Sequence, residues 1–321
     1  MINNEPNYKW IYTYDYAPTQ IWETWRAAPP PADWVNGECE SVSNRVKKEL
    51  LNFALLADSH YTVNGTWDDT SYSLRKLHER LSLNGVIHLG DMTDGILPAD
   101  KTEQIENIIK YDMASLGVPV HIVPGNHDYN YFKGNSDLIY PDKPQYYVDY
   151  DKQKLRFIFI DSFDPKEQLR YGFTDYCIHW LDSVLHSLPD GCVSIIFSHV
   201  TPLVRLQAWA KEIRNREKLM DVLNKYADSI LAFINGHNHC DHLFNDLYND
   251  KFPIISINCA KCEYFLEHKP EGAVVPYREL GNRTQESFDI IQIDTYKREI
   301  YFTRFGAGSD RIIRNGKAEW V

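Results

Sequence analysis

Cysteine is scarce in this chain. Six thiols, Cys39, Cys177, Cys192, Cys240, Cys259 and Cys262, are spread over 321 residues, too thinly for a disulfide-stapled fold. Reduced thiols, as in a cytoplasmic protein, are therefore expected. Long apolar runs are missing too: none approaches the roughly 20 residues that span a bilayer. The opening MINNEPNYKW places no basic segment before an apolar core, so no secretory leader is expected. These absences support a cytoplasmic protein, with a phage-encoded or non-classically exported one as the alternative. Basic residues are outnumbered, 34 Lys and Arg against 45 Asp and Glu, giving a formal net charge of −11. Nonspecific nucleic-acid binding depends on Lys and Arg neutralising phosphates, so a nucleic-acid partner is disfavoured. A small anionic substrate is not, because bound metal ions can supply local positive charge. The sequence also lacks internal repeats and low-complexity tracts.

What is present is ordinary for a globular protein: 43% apolar and 25% charged residues. Residues 1–50 stand apart. They carry Trp10, Tyr12, Tyr14, Tyr16, Trp22, Trp25 and Trp34 with Pro29-Pro30-Pro31, and read as an aromatic-rich extension packed on the main domain, residues 51–321. Within that domain short β-branched or aromatic runs predict strands at Leu51–Ala57, Val86–Leu89, Val118–Val123, Leu155–Ile160, Val193–Ser198, Ile230–Asn235, Ile254–Cys259, Phe288–Asp294 and Glu299–Phe305. Helical spacing appears in Ser73–Leu83, where Leu74, Leu77 and Leu81 share a stripe, and in Asp175–Leu188 and Glu212–Tyr226. Strand–helix alternation argues an α/β fold with helices covering the sheets. The late strands have no helices between them and are expected to be antiparallel. Asn315-Gly316 marks a two-residue C-terminal hairpin.

The chemistry-bearing residues sit directly after these strands. Leu51–Ala57 runs into Asp58-Ser59-His60, Val86–Leu89 into Gly90-Asp91, and Val118–Val123 into Gly125-Asn126-His127-Asp128. Val193–Ser198 runs into His199, and Ile230–Asn235 into Gly236-His237-Asn238-His239. Open α/β sheets bind ligands outside the carboxyl ends of their strands, so five strand ends would deliver ligand-type side chains to one rim. Imidazole, carboxylate and amide oxygen together suit Zn, Fe, Mn or Co ions. In extended chain, alternate residues such as Asp58 and His60, or His237 and His239, would point the same way. Any one element alone is common; five in order are not a coincidence.

Asp58-x-His60, Gly90-Asp91, Gly125-Asn126-His127-Asp128, His199 and Gly236-His237-x-His239 resemble the full motif series of the calcineurin-like metallophosphoesterases, over roughly residues 51–305. The resemblance implies a four-layer α/β/β/α sandwich of two mixed sheets flanked by helices. It implies two transition-metal ions, Mn, Fe or Zn, the first held by Asp58, His60, Asp91 and His239. Asp91 would bridge to a second ion held also by Asn126, His199 and His237. His127 would lie near the leaving group, with Asp128 orienting its ring. The protein Ser/Thr phosphatases of the family usually have Gly after the first His and Arg-Gly after the second acid. Here Tyr61 follows His60, and Gly90-Asp91-Met92-Thr93-Asp94-Gly95 contains no Arg. The match is closer to the branch with class III cyclic-nucleotide phosphodiesterases and glycerophosphodiesterases. The ending Thr303-Arg304-Phe305-Gly306-Ala307-Gly308-Ser309-Asp310-Arg311 resembles a tail of some bacterial and phage-encoded members.

The expected reaction is hydrolysis of a small phosphate ester, with a phosphodiester favoured. A metal-bridging hydroxide would attack in line, Asn126 would also contact the phosphate, and His127 would assist the leaving alkoxide. Tyr129 and Tyr61 are candidate substrate-binding residues, among the aromatics that also include Tyr131, Phe132, Tyr140, Tyr146 and Tyr147. A phosphomonoesterase or nucleotide pyrophosphatase on the same site is the enzymatic alternative, and a metal-binding scaffold without turnover is the non-enzymatic one. His88 and His121 lie within strands and read as structural. His242 follows the last motif and is weighed as a pocket residue. Cys259-Ala-Lys-Cys262 has metal or redox spacing, but without a second such pair it reads as two buried thiols near a strand end.

Overall fold

A computed structural model describes residues 32–61, 66–131, 137–209, 212–245 and 251–321. The expected packing of the aromatics from Trp10 to Trp25 lies outside the described residues. In chain order the strands are β1 (Phe53–Leu56), β2 (Gly85–His88), β3 (Val120–Ile122), β4 (Tyr146–Tyr150), β5 (Leu155–Ile160), β6 (Val193–Ser198), β7 (Ile230–Asn235), β8 (His242–Phe244), β9 (Ile254–Ser256), β10 (Ser287–Asp294), β11 (Glu299–Gly306), β12 (Arg311–Arg314) and β13 (Lys317–Trp320). The helices are α1 (Ala32–Arg45), α2 (Trp67–Leu81), α3 (Ala99–Ala114), α4 (Asp175–His186) and α5 (Arg216–Lys225).

Two mixed sheets result. One has seven strands in the order β13-β12-β11-β10-β1-β2-β3, and the other six in the order β4-β5-β6-β7-β9-β8. β1, β2 and β3 run parallel, with Ala54 opposite Val86 and Val86 opposite Val120. β5, β6, β7 and β9 are parallel as well. β10 to β13 form antiparallel pairs, closing on the expected Asn315-Gly316 hairpin. The central strands are buried on both faces, which is why each reads as an unbroken apolar run.

The layers follow from where those runs point. Phe53, Leu55, Ile87 and Ile291 of the first sheet meet Phe157, Phe159, Phe197 and Ile234 of the second. Phe53 crosses to Phe157 edge-on, with ring centroids 5.2 Å apart. The outer face of the seven-stranded sheet is covered by α1, α2 and α3 through Val35, Leu74, Leu77, Ile105 and Ile109. The outer face of the six-stranded sheet is covered by α4 and α5 through Ile178, Leu181, Leu219 and Leu223. α4 begins where the Thr174 hydroxyl accepts the Cys177 amide at 3.0 Å. α5 starts later than expected, because Arg214 N–H bonds the Tyr171 carbonyl and Asn215 turns into the left-handed region.

Two arginines of the C-terminal segment enter a buried ionic tetrad. Arg304 and Arg311 are each no more than 2% exposed, and both reach Asp241 and Asp289. Asp241 lies two residues past His239, so β11 and β12 grip the loop that carries the last motif.

Candidate metal centre

The five motifs converge in one place. β1, β2 and β3 end at Asp58 and His60, Asp91, and Asn126, all from the seven-stranded sheet; β6 and β7 end at His199, His237 and His239, from the six-stranded sheet. The chain is not extended through the paired motifs, as the alternation argument assumed. Asp58, His60, Asp91, His237 and His239 all have positive φ, between 42° and 67°. Each such conformation costs a non-glycine residue about 1–3 kcal/mol, so the packed strand ends impose a geometry the local chain resists. Gly90 and Gly125 allow two motifs to touch. A Cβ at Gly90 would meet the Gly125 nitrogen at 2.3 Å, and one at Gly125 would meet Asp91 Oδ1 at 2.2 Å.

The converging atoms form two adjoining sets. Asp58, His60 and His239 make one, with Nε2 of His60 and His239 3.1 Å apart and His239 Nε2 3.6 Å from Asp58. Asp91, His199 and His237 make the other. His199 Nε2 is 3.1 Å from Asp91 Oδ2, 3.1 Å from Asn126 Oδ1 and 3.2 Å from His237 Nδ1. Asp91 Oδ2 also lies 3.7 Å from His60 Nε2, so it stands between the sets.

These atoms fit metal ions because hydrogen bonds leave them bare. Nδ1 of His199 donates to the Leu89 carbonyl at 2.6 Å, leaving Nε2 as a lone pair aimed at an amide oxygen and a carboxylate. Nδ1 of His60 meets Asp94 at 3.1 Å, and Nδ1 of His239 meets both oxygens of Glu263 at 3.1 Å. Carboxylates behind metal-binding imidazoles fix the tautomer and raise ligand basicity. Without a cation the cluster attracts protons. Burial opposes charge on His199 and His239, yet Asp91 holds the first at about 9, and Glu263 with Asp58 holds the second there. Burial likewise opposes the charge of Asp91, but His199 and His127 keep its carboxyl well below the usual range.

His127 touches the cluster's edge, its Nε2 3.9 Å from Asp91 Oδ2. Its Nδ1 donates to the Asp94 carbonyl at 2.6 Å. The expected Asp128–His127 pair is therefore corrected. The Asp128 carboxylate instead accepts the backbone N–H groups of Asp91 and Met92, each at 2.9 Å, and of Gly125 at 2.8 Å. It holds the two motif turns together. Tyr129 and Tyr61 are corrected as well. Tyr129 is 3% exposed and gives its hydroxyl to Asp161, while Tyr61 is 5% exposed within the apolar cluster over the seven-stranded sheet. His242 sits in β8 opposite Ser256, outside both sets.

The rim is built from other aromatics. Tyr171 lies 5.2 Å from the His237 ring, and the exposed Trp209 lies 5.5 and 5.3 Å from His237 and His239. Tyr131 meets the Tyr171 hydroxyl at 3.3 Å. Lys269 covers Trp209 at 4.7 Å and donates to the Asn238 carbonyl. Glu263 and the buried Lys261, 3.7 Å apart, were also missed. Lys261 is the main influence lowering Asp94, against burial, so one ammonium steadies the carboxylates behind both His60 and His239. The signal was available: β9 is a further strand end on the same sheet, and Lys261 lies inside the Cys259–Cys262 segment. Cys259 itself gives its Sγ–H to the Lys261 carbonyl, and all six cysteines are free.

The fold and this cluster define a metallophosphoesterase arrangement, and residues 51–241 match the profile described as "Calcineurin-like phosphoesterase". The chain belongs to that family. It is 29% identical over 171 residues to "Probable glycerophosphodiester phosphodiesterase GpdQ" of Arcobacter nitrofigilis, a match covering 48% of this chain and 56% of that protein. It is 30% identical over 196 residues to "Probable cyclic nucleotide phosphodiesterase" of Rhodococcus erythropolis, covering 57% of this chain and 63% of that protein. The matches thus span less than two thirds of either relative. Among solved structures, a dimetal phosphatase from Danio rerio shares the fold, with a TM-score of 0.60 at 18% identity, over 83% of this chain and 99% of that one. Among the described residues no helix is long and apolar enough to cross a membrane.

Proposed function

We propose that this chain is a dinuclear metal-dependent phosphodiesterase acting on a small phosphate ester. The observation that carries the reading is a pair of adjoining donor sets, with Asp91 of one 3.7 Å from His60 of the other. Asp58, His60, Asp91 and His239 would hold one ion, and Asp91, Asn126, His199 and His237 the other. Two ions so placed would supply a nucleophile from water near neutral pH and neutralise phosphate charge. The donor set suits Mn, Fe or Zn. Asn126 brings a neutral oxygen, so its amide group can turn to a phosphate oxygen. The Asp94 carbonyl fixes the His127 proton on Nδ1, which leaves Nε2 to carry a second proton to a departing alkoxide. Tyr171, Tyr131 and Trp209 line the approach with neutral aromatic surface. That surface suits the single charge of a diester better than the double charge of a monoester.

The test is chelation, reloading with Mn²⁺, Fe²⁺ or Zn²⁺, and assay on bis(p-nitrophenyl) phosphate, p-nitrophenyl phosphate and diphosphate. Metal-restored turnover with the highest kcat/KM on the diester is expected. Higher kcat/KM on the monoester or diphosphate would replace the diester assignment. Metal binding without turnover on any of them would leave a scaffold.

A further inference from the structure

We propose that Lys269 is a specificity-determining residue, selecting phosphodiesters whose retained ester group carries a second anionic group, a carboxylate or a phosphate. The inference rests on the diesterase reading above and concerns the rim of the same site. Trp209 packs edge-on against both histidines of the last motif, its ring centre 5.5 Å from His237 and 5.3 Å from His239. Those imidazoles belong to different donor sets, so a phosphate spanning the two ions would have one ester arm beside the indole. His127, on the leaving-group side in that reading, packs instead on His60, with ring centres 4.9 Å apart. The arm beside Trp209 is therefore the one that stays on phosphorus.

Asn238, buried between the two histidines, ties down both the indole and the ammonium. Its Oδ1 accepts the Ala208 N–H at 3.0 Å, its Nδ2 donates to the Leu206 carbonyl at 2.6 Å, and its backbone carbonyl accepts Lys269 Nζ at 2.6 Å. That Nζ lies 4.7 Å from the Trp209 ring centre and 5.1 Å from that of Phe265. An ammonium has three N–H donors, and the carbonyl takes one of them. Among the described residues no carboxylate forms an ion pair with Lys269, although the chain carries 45 acidic residues against 34 basic ones. Glu263, the acid it influences from farther off, already serves His239 and Lys261. A half-buried charge is costly to leave unpaired, and an indole face offsets only part of that cost. An anionic group on the substrate would complete the shell. Arg170 is the rim's other cation, over the Tyr131 ring at 5.5 Å, but it is exposed and no hydrogen bond fixes its guanidinium among the described residues.

The test measures p-nitrophenol release by the Mn²⁺-loaded full chain from p-nitrophenyl phosphodiesters that differ only in the second ester group: propyl, carboxyethyl, phosphonoethyl and aminoethyl. An anionic ester should exceed the propyl ester in kcat/KM by about tenfold or more, the order of one hydrogen bond to a charged group, and the aminoethyl ester should fall below it. The larger of the two anionic ratios tells carboxylate from phosphate. Lys269→Met should bring the anionic-to-propyl ratio to about one, while Lys269→Arg and Arg170→Met should both keep it. Lys269→Gln, which retains a donor for the Asn238 carbonyl without the charge, serves if Lys269→Met fails to fold. Wild-type turnover with no anionic preference overturns the proposal and leaves the diesterase reading standing; no metal-dependent turnover of any diester removes both. A preference that survives loss of the Lys269 charge, as direct binding of the extra anion to the metal ions would give, also overturns it. So does a preference lost with Arg170→Met.

Discussion

Replacing Arg311 with Met should unfold the protein far more readily than replacing a neighbouring surface arginine. Arg311 is 1% exposed on its side chain and contacts Asp241 and Asp289, which Arg304 also reaches. The tetrad is neutral as built, with two carboxylates and two guanidinium groups. Met fills much of the space but leaves two buried carboxylates facing one guanidinium. Removing one partner of a buried pair costs about 3–5 kcal/mol, a large share of a total stability of about 5–15 kcal/mol. At about 2–4 °C per kcal/mol for domains of 150–250 residues, Tm should fall by roughly 6–20 °C. Arg314 provides the control, since its pair with Glu319 at 3.4 Å has both side chains about half exposed; Arg314→Met should cost less than about 1 kcal/mol. Adding Asp289→Asn to Arg311→Met restores charge balance as Asp241–Arg304, so the double variant should recover part of the loss, with a coupling of about 0.5–3 kcal/mol. Urea unfolding followed by circular dichroism measures all five proteins: wild type, the three single variants Arg311→Met, Asp289→Asn and Arg314→Met, and the double variant. An Arg311→Met loss no larger than that of Arg314→Met would mean the buried tetrad contributes no more than an exposed pair, and strict additivity in the double variant would mean Arg311 and Asp289 are not coupled.

The remaining predictions concern the metal centre and pH. Asp91→Ala should leave fewer than two tightly bound ions by elemental analysis, because Asp91 lies in reach of both sets; two retained ions would show that it does not bridge. His127→Ala should keep its metals and lose about 10²–10⁴ in rate on an alkyl diester, with a much smaller loss on a p-nitrophenyl diester, whose leaving group departs without a proton. Equal losses on the two substrates would mean His127 stabilises charge instead of donating a proton. Glu263→Gln should weaken metal binding about 10–100-fold, read by competition with a chromophoric chelator, while unchanged affinity would make Glu263 a packing residue. Asp69 is buried near Glu286, and burial first, then the Glu286 charge, raises its carboxyl to about 8. Its folded pKa thus exceeds the ordinary ~4, so the folded state holds the extra proton and stability falls as pH rises from about 4 to 8. Asp69→Asn should flatten that decline in melts between pH 5 and pH 8, and an unchanged slope would assign it to other groups.

Much of this architecture is readable in the chain because the central strands are buried on both faces, so Phe53–Leu56 or Ile230–Asn235 appears as a continuous apolar run and its end is visible. The edges are less legible. Tyr146–Tyr150 is half-buried and His242–Phe244 is only three residues long, so neither presents such a run. α3 buries Ile105, Ile109 and Met113, but polar residues surround that thin stripe in sequence. The ligand-type residues of the site followed from strand ends. The errors came from adjacency. Asp128 follows His127 in a tight 3-10 turn where neighbours diverge, and three backbone N–H groups claim its carboxylate. Tyr129 and Tyr61 adjoin motifs yet point into the core. Trp209, Tyr171 and Glu263 reach the centre from loops distant in sequence, where only the assembled sheets bring them together.

The two donor sets each draw on both sheets: Asp58, His60, Asp91 and Asn126 come from one, and His199, His237 and His239 from the other. Ions bound as proposed would therefore clamp the halves of the sandwich to each other at their open rim. Each ion present at 100 times its Kd would add about 2.7 kcal/mol to the resistance to unfolding. The resting protein would thus report its cofactor supply through its own durability, and a cell short of metal would lose the folded chain along with its chemistry.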